Sequence, residues 1–210
     1  MAEKRTRPSN PWVVLVVLVT GFFMIMLDTT IVNVAIPAMS AGLKISLDGI
    51  LWVLNAYILV YAVLLITAGR LGDLYGQRNL FAAGLAIFTV ASALCGLSQD
   101  ENQLIAARVL QGVGGAFLVP QTLAILTSLF PPERRGAAFG IWAGVAGLAT
   151  LAGPTVGGAI VTYVDWRWIF FVNVPIGIAA LVATPATAPQ IPIAAPRRWG
   201  GNMTLITASV

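Results

Sequence analysis

The sequence predicts an all-α membrane protein, a six-helix transmembrane bundle, and three observations predict it. Of 210 residues, 58% are hydrophobic and only 10% charged, against roughly 45–50% and about 25% in a soluble domain. Six stretches are free of charge: residues 8–27, 49–69, 79–99, 109–132, 136–164 and 168–196. The connections between them are short, and alternate ones are basic.

Each stretch meets the length requirement, since a span needs about 20 apolar residues rising 1.5 Å each to cover a hydrocarbon core of about 30 Å. The first span, richest over Trp12–Pro37, contains the acid Asp28. The second (Ile50–Ala68) and third (Leu80–Leu97) are separated by a tight segment in which Gly69, Gly72 and Gly76 let the backbone turn. There Asp73 is placed to cap the third span or to pair with a neighbouring arginine. The fourth span, Leu104–Phe130, contains Arg108. The fifth, Ala137–Thr162, has Gly136, Gly140 and Gly144 four apart, then Gly153 and Gly157 four apart. Small residues at that spacing allow backbone-to-backbone packing, and Pro154 adds a kink. The sixth is Trp168–Ala183, after which Pro185, Pro189, Pro192 and Pro196 are expected to end the helix. The organisation expected is a segment 1–11, a bundle 12–183 and a Pro/Ala/Thr-rich disordered tail 184–210.

Composition also removes function classes. There is no histidine and a single cysteine, Cys95, so imidazole metal sites, Cys–His clusters, Ser–His catalysis and intrachain disulfides are out of reach. No metal site is expected, and no serine, histidine or paired acids form a reacting set for an intramembrane enzyme. Cys95, beside Gly96 in an apolar span, is read as packing. The net charge of +4 is read as the cytoplasmic edges of membrane helices, with no nucleic-acid partner. Nine cations lie on one side: Lys4, Arg5, Arg7, Arg70, Arg78, Arg134, Arg135, Arg197 and Arg198. Lys44 and Arg167 lie on the other, so both termini are expected in the cytoplasm of an inner (plasma) membrane protein. The basic start is not read as a cleavable signal peptide, because the apolar stretch after it is too long and lacks a small-residue cleavage site.

Asp28 and Arg108 are the informative exceptions. A lone charge near the bilayer centre costs roughly 2.5–3.5 kcal/mol, so such residues face a cavity or each other. Asp28 stands about 24 Å from the cytoplasmic edge and Arg108 about 6 Å from the outer start of its span, which puts both in the outer half, at depths where they can meet. A buried carboxylate is pulled to its neutral form by desolvation and to its ionised form by a nearby cation, so substrate or conformation can move it between the two. Asp28 could equally form a structural pair, or bond to Asn33 or a backbone group. Asn33, Asn55, Gln111, Gln121 and Thr122 are further polar groups able to line a path or to cross-link helices. Trp52, Tyr57, Tyr61 and Phe117 could stack on flat lipophilic cations or serve as packing and interface anchors.

Five segments in order resemble one family: Leu27–Pro37 (LDTTIVNVAIP), Gly69–Arg78 (GRLGDLYGQR), Arg108–Ala116 (RVLQGVGGA), Gly153–Gly158 (GPTVGG) and Asp165–Gly177 (DWRWIFFVNVPIG). Together they resemble the major facilitator superfamily, specifically its fourteen-span drug:proton antiporters. The resemblance covers about residues 10–183 and implies the N-terminal half of a major facilitator fold.

It implies a proton-coupled exporter of small amphipathic drugs or metabolites, driven by the proton gradient without a bound cofactor. Asp28 and Arg108 would serve proton coupling, and Asn33, Asn55, Tyr57, Gln111 and Gln121 a substrate path. Gly69, Gly72, Asp73, Gly76 and Arg78 would form the family's cytoplasmic loop motif, and Gly153, Pro154, Gly157 and Gly158 its antiporter motif. Leu74 and Gln77 depart from the family's usual basic residues, and Ala149 stands where many members have glycine. The expected partners are lipid, protons, substrate and a second six-span half or another copy, which would cover a face carrying Asp28, Asn33 and Arg108. The tail is expected to mark a truncation or a shifted reading frame. A non-transporting membrane module or assembly partner is the other reading.

Overall fold

Seven helices follow one another in the computed structural model, which describes residues 10–187. They are α1 (Pro11–Leu43), α2 (Leu47–Tyr75), α3 (Gln77–Leu97), α4 (Glu101–Leu129), α5 (Pro132–Tyr163), the single turn α6 (Trp168–Phe171) and α7 (Asn173–Thr187). Six segments are long and apolar enough to cross a membrane, α6 and α7 together making the sixth. The protein is therefore an all-α, multi-pass membrane bundle.

Helices start and stop where local chemistry dictates. Asn10, Ser46 and Asp100 cap α1, α2 and α4, accepting from the backbone N–H groups of Trp12, Gly49 and Gln103, and each satisfies one of the orphan donors of a helix start. Arg135 of α5 reaches back to donate to the carbonyls of Phe130 (3.1 Å) and Thr127 (2.8 Å) at the end of α4. Proline does not stop these helices: α1 continues past Pro37, α4 past Pro120 and α5 past Pro154. Each proline forfeits one hydrogen bond and adds steric strain, yet packed neighbours hold the segment helical.

Two expectations about boundaries change. The tight segment expected between the second and third spans is mostly helix, because α2 runs through Gly69, Gly72 and Asp73 to Tyr75 and only Gly76 lies between it and α3. Gly76 has φ +90°, a conformation that a side chain would disfavour, so one glycine makes the whole turn. The final helix continues through Pro185 to Thr187, past the boundary at 183, with the hydroxyls of Thr184 and Thr187 donating to Ala180 and Ala183 carbonyls. The rest of the expected tail, and most of the segment 1–11, lie outside the described residues.

Contacts between turns define the two ends. At one end Trp12 meets Phe130 edge-on at 5.0 Å, joining the start of α1 to the end of α4. At the other, Arg167 donates to the Ser98 carbonyl at 3.3 Å, and Gly42 leaves room for the Trp166 indole. Between the ends lie two apolar layers. One holds Leu18, Ile25, Phe81, Phe88, Leu118 and Ile125; the other holds Ile31, Met39, Ile50, Val53, Leu104 and Phe170. Residues 28, 108 and 111 fall between them along α1 and α4.

Close crossings rest on glycine. A Cβ added at Gly157 would lie 2.8 Å from Ile31 Cγ1 and 3.3 Å from the Ile31 carbonyl oxygen, and one at Gly153 would strike Thr30, whereas one at Gly158 would meet nothing within 4 Å. Within the Gly153–Gly158 segment, therefore, Gly153 and Gly157 seat α5 on α1, while Pro154 is exposed and Gly158 faces away. Gly157→Leu is expected to destabilise the bundle by at least about 1–3 kcal/mol, the usual range for overpacking, and Gly157→Ala by less. Gly158→Leu should stay within about 0.5 kcal/mol of the parent. Unfolding in mixed micelles checks this, and equal tolerance of Leu at 157 and 158 would contradict the crossing.

Candidate functional site

Asp28 lies one turn before the Ile31 crossing and is fully buried; Arg108 of α4 is 2% exposed. They form an ion pair, with Arg108 Nη1 donating to Asp28 Oδ2 at 2.6 Å. The meeting inferred from depth along the two helices is thus present, and Asn33 is not the partner. It donates instead to the Thr29 carbonyl at 2.7 Å, on an exposed side of α1.

Burying two charges is tolerable only when their remaining hydrogen-bonding capacity is met. Arg108 Nη1 also donates to Gln111 Oε1 (2.6 Å), and its Nε to the Val53 carbonyl of α2 (3.2 Å). Tyr57 of α2 places its ring 4.2 Å from the guanidinium carbon, a cation–π contact. Gln111 Nε2 donates to Asp28 Oδ1 (2.8 Å) and to Ser92 Oγ of α3 (2.9 Å), and Cys95 lies 3.6 Å from Gln111 Oε1. From α7, Asn173 Nδ2 donates to Asp28 Oδ1 at 3.2 Å. Five helices converge on one carboxylate–guanidinium pair.

The glycines of the fourth-span motif make room for this. A Cβ at Gly112 would lie 2.8 Å from the Tyr57 carbonyl oxygen of α2, and one at Gly114 would lie 2.5 Å from the Phe88 backbone nitrogen of α3. α4 is wedged between α2 and α3 with little side chain in the way, and Arg108 extends past them to α1.

The other sequence-derived residues scatter. Asn33 and Asn55 are exposed, while Tyr57, Gln111 and Gln121 are buried, so these five do not share one surface. Gln121 ties α4 to α2 by donating to the Ala68 carbonyl at 2.8 Å, packed against Gly72. Gly69 also belongs to α2, and a Cβ added there would lie 3.8 Å from Pro120 Cβ. Asp73 is exposed and does not cap α3, whose start carries no side-chain cap. Arg78 follows on the first turn of α3, half-buried. The polar pair does not lie on an exposed inner face as expected: Asp28 and Arg108 are enclosed by this bundle itself. Trp52 is exposed, Tyr57 stacks on Tyr61 at 6.1 Å between centroids, and Thr122 bonds to its own helix.

Asn173 and Ser92 were missed by sequence reasoning. Asn173 lies in the Asp165–Gly177 segment, and an amide in an otherwise apolar run before Pro175 is the signal the sequence offers for it. Among the described residues no cluster of three metal-ligating side chains occurs. Tyr57 keeps its hydroxyl buried without a partner, which leads to a contrast. Tyr57→Phe should leave stability unchanged or raise it, because it removes an unsatisfied group and keeps the ring. Gln111→Leu should cost about 1–3 kcal/mol, since it strips partners from both charges. Comparable losses in the two variants would contradict the network.

The fold matches a solved structure of the proton:xylose symporter XylE, with a TM-score of 0.70 over 86% of this chain and 45% of that one, at 14% identity. An uncharacterized MFS-type transporter of Mycobacterium tuberculosis is 51% identical over 87% of this chain and 32% of its own length. The tetracenomycin C resistance and export protein of Streptomyces glaucescens is 47% identical over 83% of this chain and 32% of its own. The puromycin resistance protein of Streptomyces alboniger is 40% identical over 81% and 34%. The chain thus spans about a third of the length of these relatives. The family profile matches residues 18–202, past the boundary at 183. The chain belongs to the Major Facilitator Superfamily, a family of membrane transporters and not of enzymes.

Proposed function

We propose that this chain is the first six-span bundle of a proton-coupled exporter of small amphipathic compounds. The observation that carries the reading is the buried Asp28–Arg108 pair, held at 2.6 Å by amides from α4 and α7 inside an apolar bundle. A carboxylate in that setting is a costly way to pack helices and a suitable way to carry a proton, because a small displacement of Arg108 changes which protonation state is favoured. Arg108 would tune the carboxylate, Gln111 would orient both, and the proton gradient would supply the energy without a bound cofactor. The names of relatives that resist or export antibiotics support the substrate class.

A second bundle is part of the proposal. α2 and α5 are the least buried spans, and a Cβ added at Gly136, Gly140, Gly144 or Gly147 would meet nothing within 4 Å from the rest of the bundle. Small residues left open along a membrane helix suit close packing against another helix. The substrate path would lie between the bundles, with Asn33 and Asn55 exposed for it and Tyr57, Gln111 and Gln121 acting from behind. Gly69, Gly72, Asp73, Gly76 and Arg78 would latch the bundles at the cytoplasmic end, with both termini of this chain on that side of the inner membrane.

In everted vesicles containing the transporter of which this bundle is part, Asp28→Asn is expected to abolish substrate-driven proton movement with membrane insertion retained, since an amide keeps the shape but cannot ionise. Unchanged coupling would contradict the proposal. The 210-residue chain alone should insert into liposomes without transporting, and robust drug–proton exchange by it would remove the need for a second bundle. Reporter tags at the N-terminus, Gln77, Glu133 and the C-terminus should report cytoplasm, and tags at Lys44, Asp100 and Asp165 the outside. A reversed pattern would overturn the orientation.

A further inference from the structure

Of the side chains around Asp28, Asn173 is the odd one. It is fully buried, and its Nδ2 donates to Asp28 Oδ1, yet its own Oδ1 is buried with no hydrogen-bond partner. An unsatisfied buried acceptor is costly and calls for an explanation. Asn173 is the first residue of α7, directly after the break at Val172, and Pro175 follows without an N–H to offer.

The donor inventory shows what the free oxygen could do. Were Asp28 protonated on Oδ2, its O–H would face Arg108 Nη1, and a guanidinium accepts nothing. Were it protonated on Oδ1, Gln111 could not accept either. Its Nε2 is a donor, and its Oε1 already takes Arg108 Nη1 at 2.6 Å and faces Cys95 Sγ at 3.6 Å. Among the side chains bonded to Asp28, the Asn173 amide oxygen is the one acceptor still open.

We propose that Asp28 takes its proton on Oδ1 and that the Asn173 amide turns over as it does. With Asp28 ionised, Asn173 Nδ2 donates to Oδ1. On protonation an O–H bond forms at Oδ1, the bond from Nδ2 is lost, and a half-turn of the amide brings Asn173 Oδ1 in to accept the new O–H. Oδ2 becomes the carbonyl oxygen and keeps Arg108, Oδ1 keeps Gln111, and no other bond changes. Asn173 is thus a positioning residue that presents a matched partner to both protonation states, whereas a hydrocarbon there would match neither. The titratable and charged groups facing the site are Tyr57 and, stacked on it, Tyr61 from α2, Cys95 from α3 and Arg108 from α4. Among the described residues α5, α6 and α7 bring none to it.

This inference rests on Asp28 being the proton carrier, and the experiment separates the two. Infrared difference spectra are recorded across pH steps on the full chain in liposomes, with asparagine isotopically labelled and the Asp28 carboxyl band assigned by its loss in Asp28→Asn. The expected result is a carboxyl band accompanied by an asparagine amide change; in Asn173→Leu the amide change disappears and the carboxyl band moves to higher wavenumber, because its O–H has lost its acceptor. A carboxyl band with no asparagine change in the parent chain would overturn the inference and leave the proton carrier standing, and this outcome does not depend on whether Asn173→Leu folds. An Asp28 band that Asn173→Leu leaves in place would overturn it too. Absence of any Asp28 carboxyl band would remove the proton-carrier reading and this inference with it.

Discussion

A carboxylate and a guanidinium share the apolar interior of this bundle, and most of its internal geometry follows from that. Neither charge could stay there alone, because an unpaired ion in such a place costs several kcal/mol after relaxation. Arg108 therefore has to cross from α4 to α1, which requires α4 to lie tight against α2 and α3. Gly112 and Gly114 make that possible. Asp28 in turn has to be enclosed, and the enclosure is completed by α7 through Asn173 and by α5 through its seat on Thr30 and Ile31. Apolar layers lie on either side of the pair along α1 and α4, and the amides between them meet what the two charges leave over.

This arrangement bears on how a carrier of this type would couple two events. The pair lies inside this bundle, so on the proposed reading a substrate held between two bundles would act on Asp28 without touching it. The α1–α5 crossing offers a mechanical link: Thr30, two residues beyond Asp28, sits against Gly153, and its hydroxyl lies 3.4 Å from the Ala149 carbonyl. A shift of α5 against α1 would move the backbone next to the carboxylate.

Six spans, alternate basic turns and the two buried charges were legible in the sequence because each depends on a one-dimensional quantity: length, composition or depth along a helix. Depth along the two helices put Asp28 and Arg108 within reach of each other but left Asn33 as another partner, a choice made by the packing of α4 against α1. What sequence could not supply was azimuth. Gln111 and Gln121 read alike as polar groups in a span, yet one faces the ion pair and the other the Ala68 carbonyl. Asn173 stayed silent because nothing in a linear pattern tells whether an amide points inward. Gly69, Gly72 and Gly76 read as one flexible turn, although only Gly76 adopts a positive φ; Gly72 is small so that Gln121 fits against it, and Gly69 is plain helix facing Pro120. The enclosure of the pair within a single bundle was likewise not legible, since burial by neighbours and burial by a second half leave the same pattern.

The claim on which all this rests is that Asp28 and Arg108 form one interacting unit. A double-mutant cycle with Asp28→Asn, Arg108→Gln and the two together, read by unfolding in mixed micelles, tests it most directly. The account predicts that each single change costs about 3–5 kcal/mol by stranding the other charge, and that the double variant loses less than the sum by well over about 0.5 kcal/mol. Additive losses, within that margin for independent sites, would contradict it.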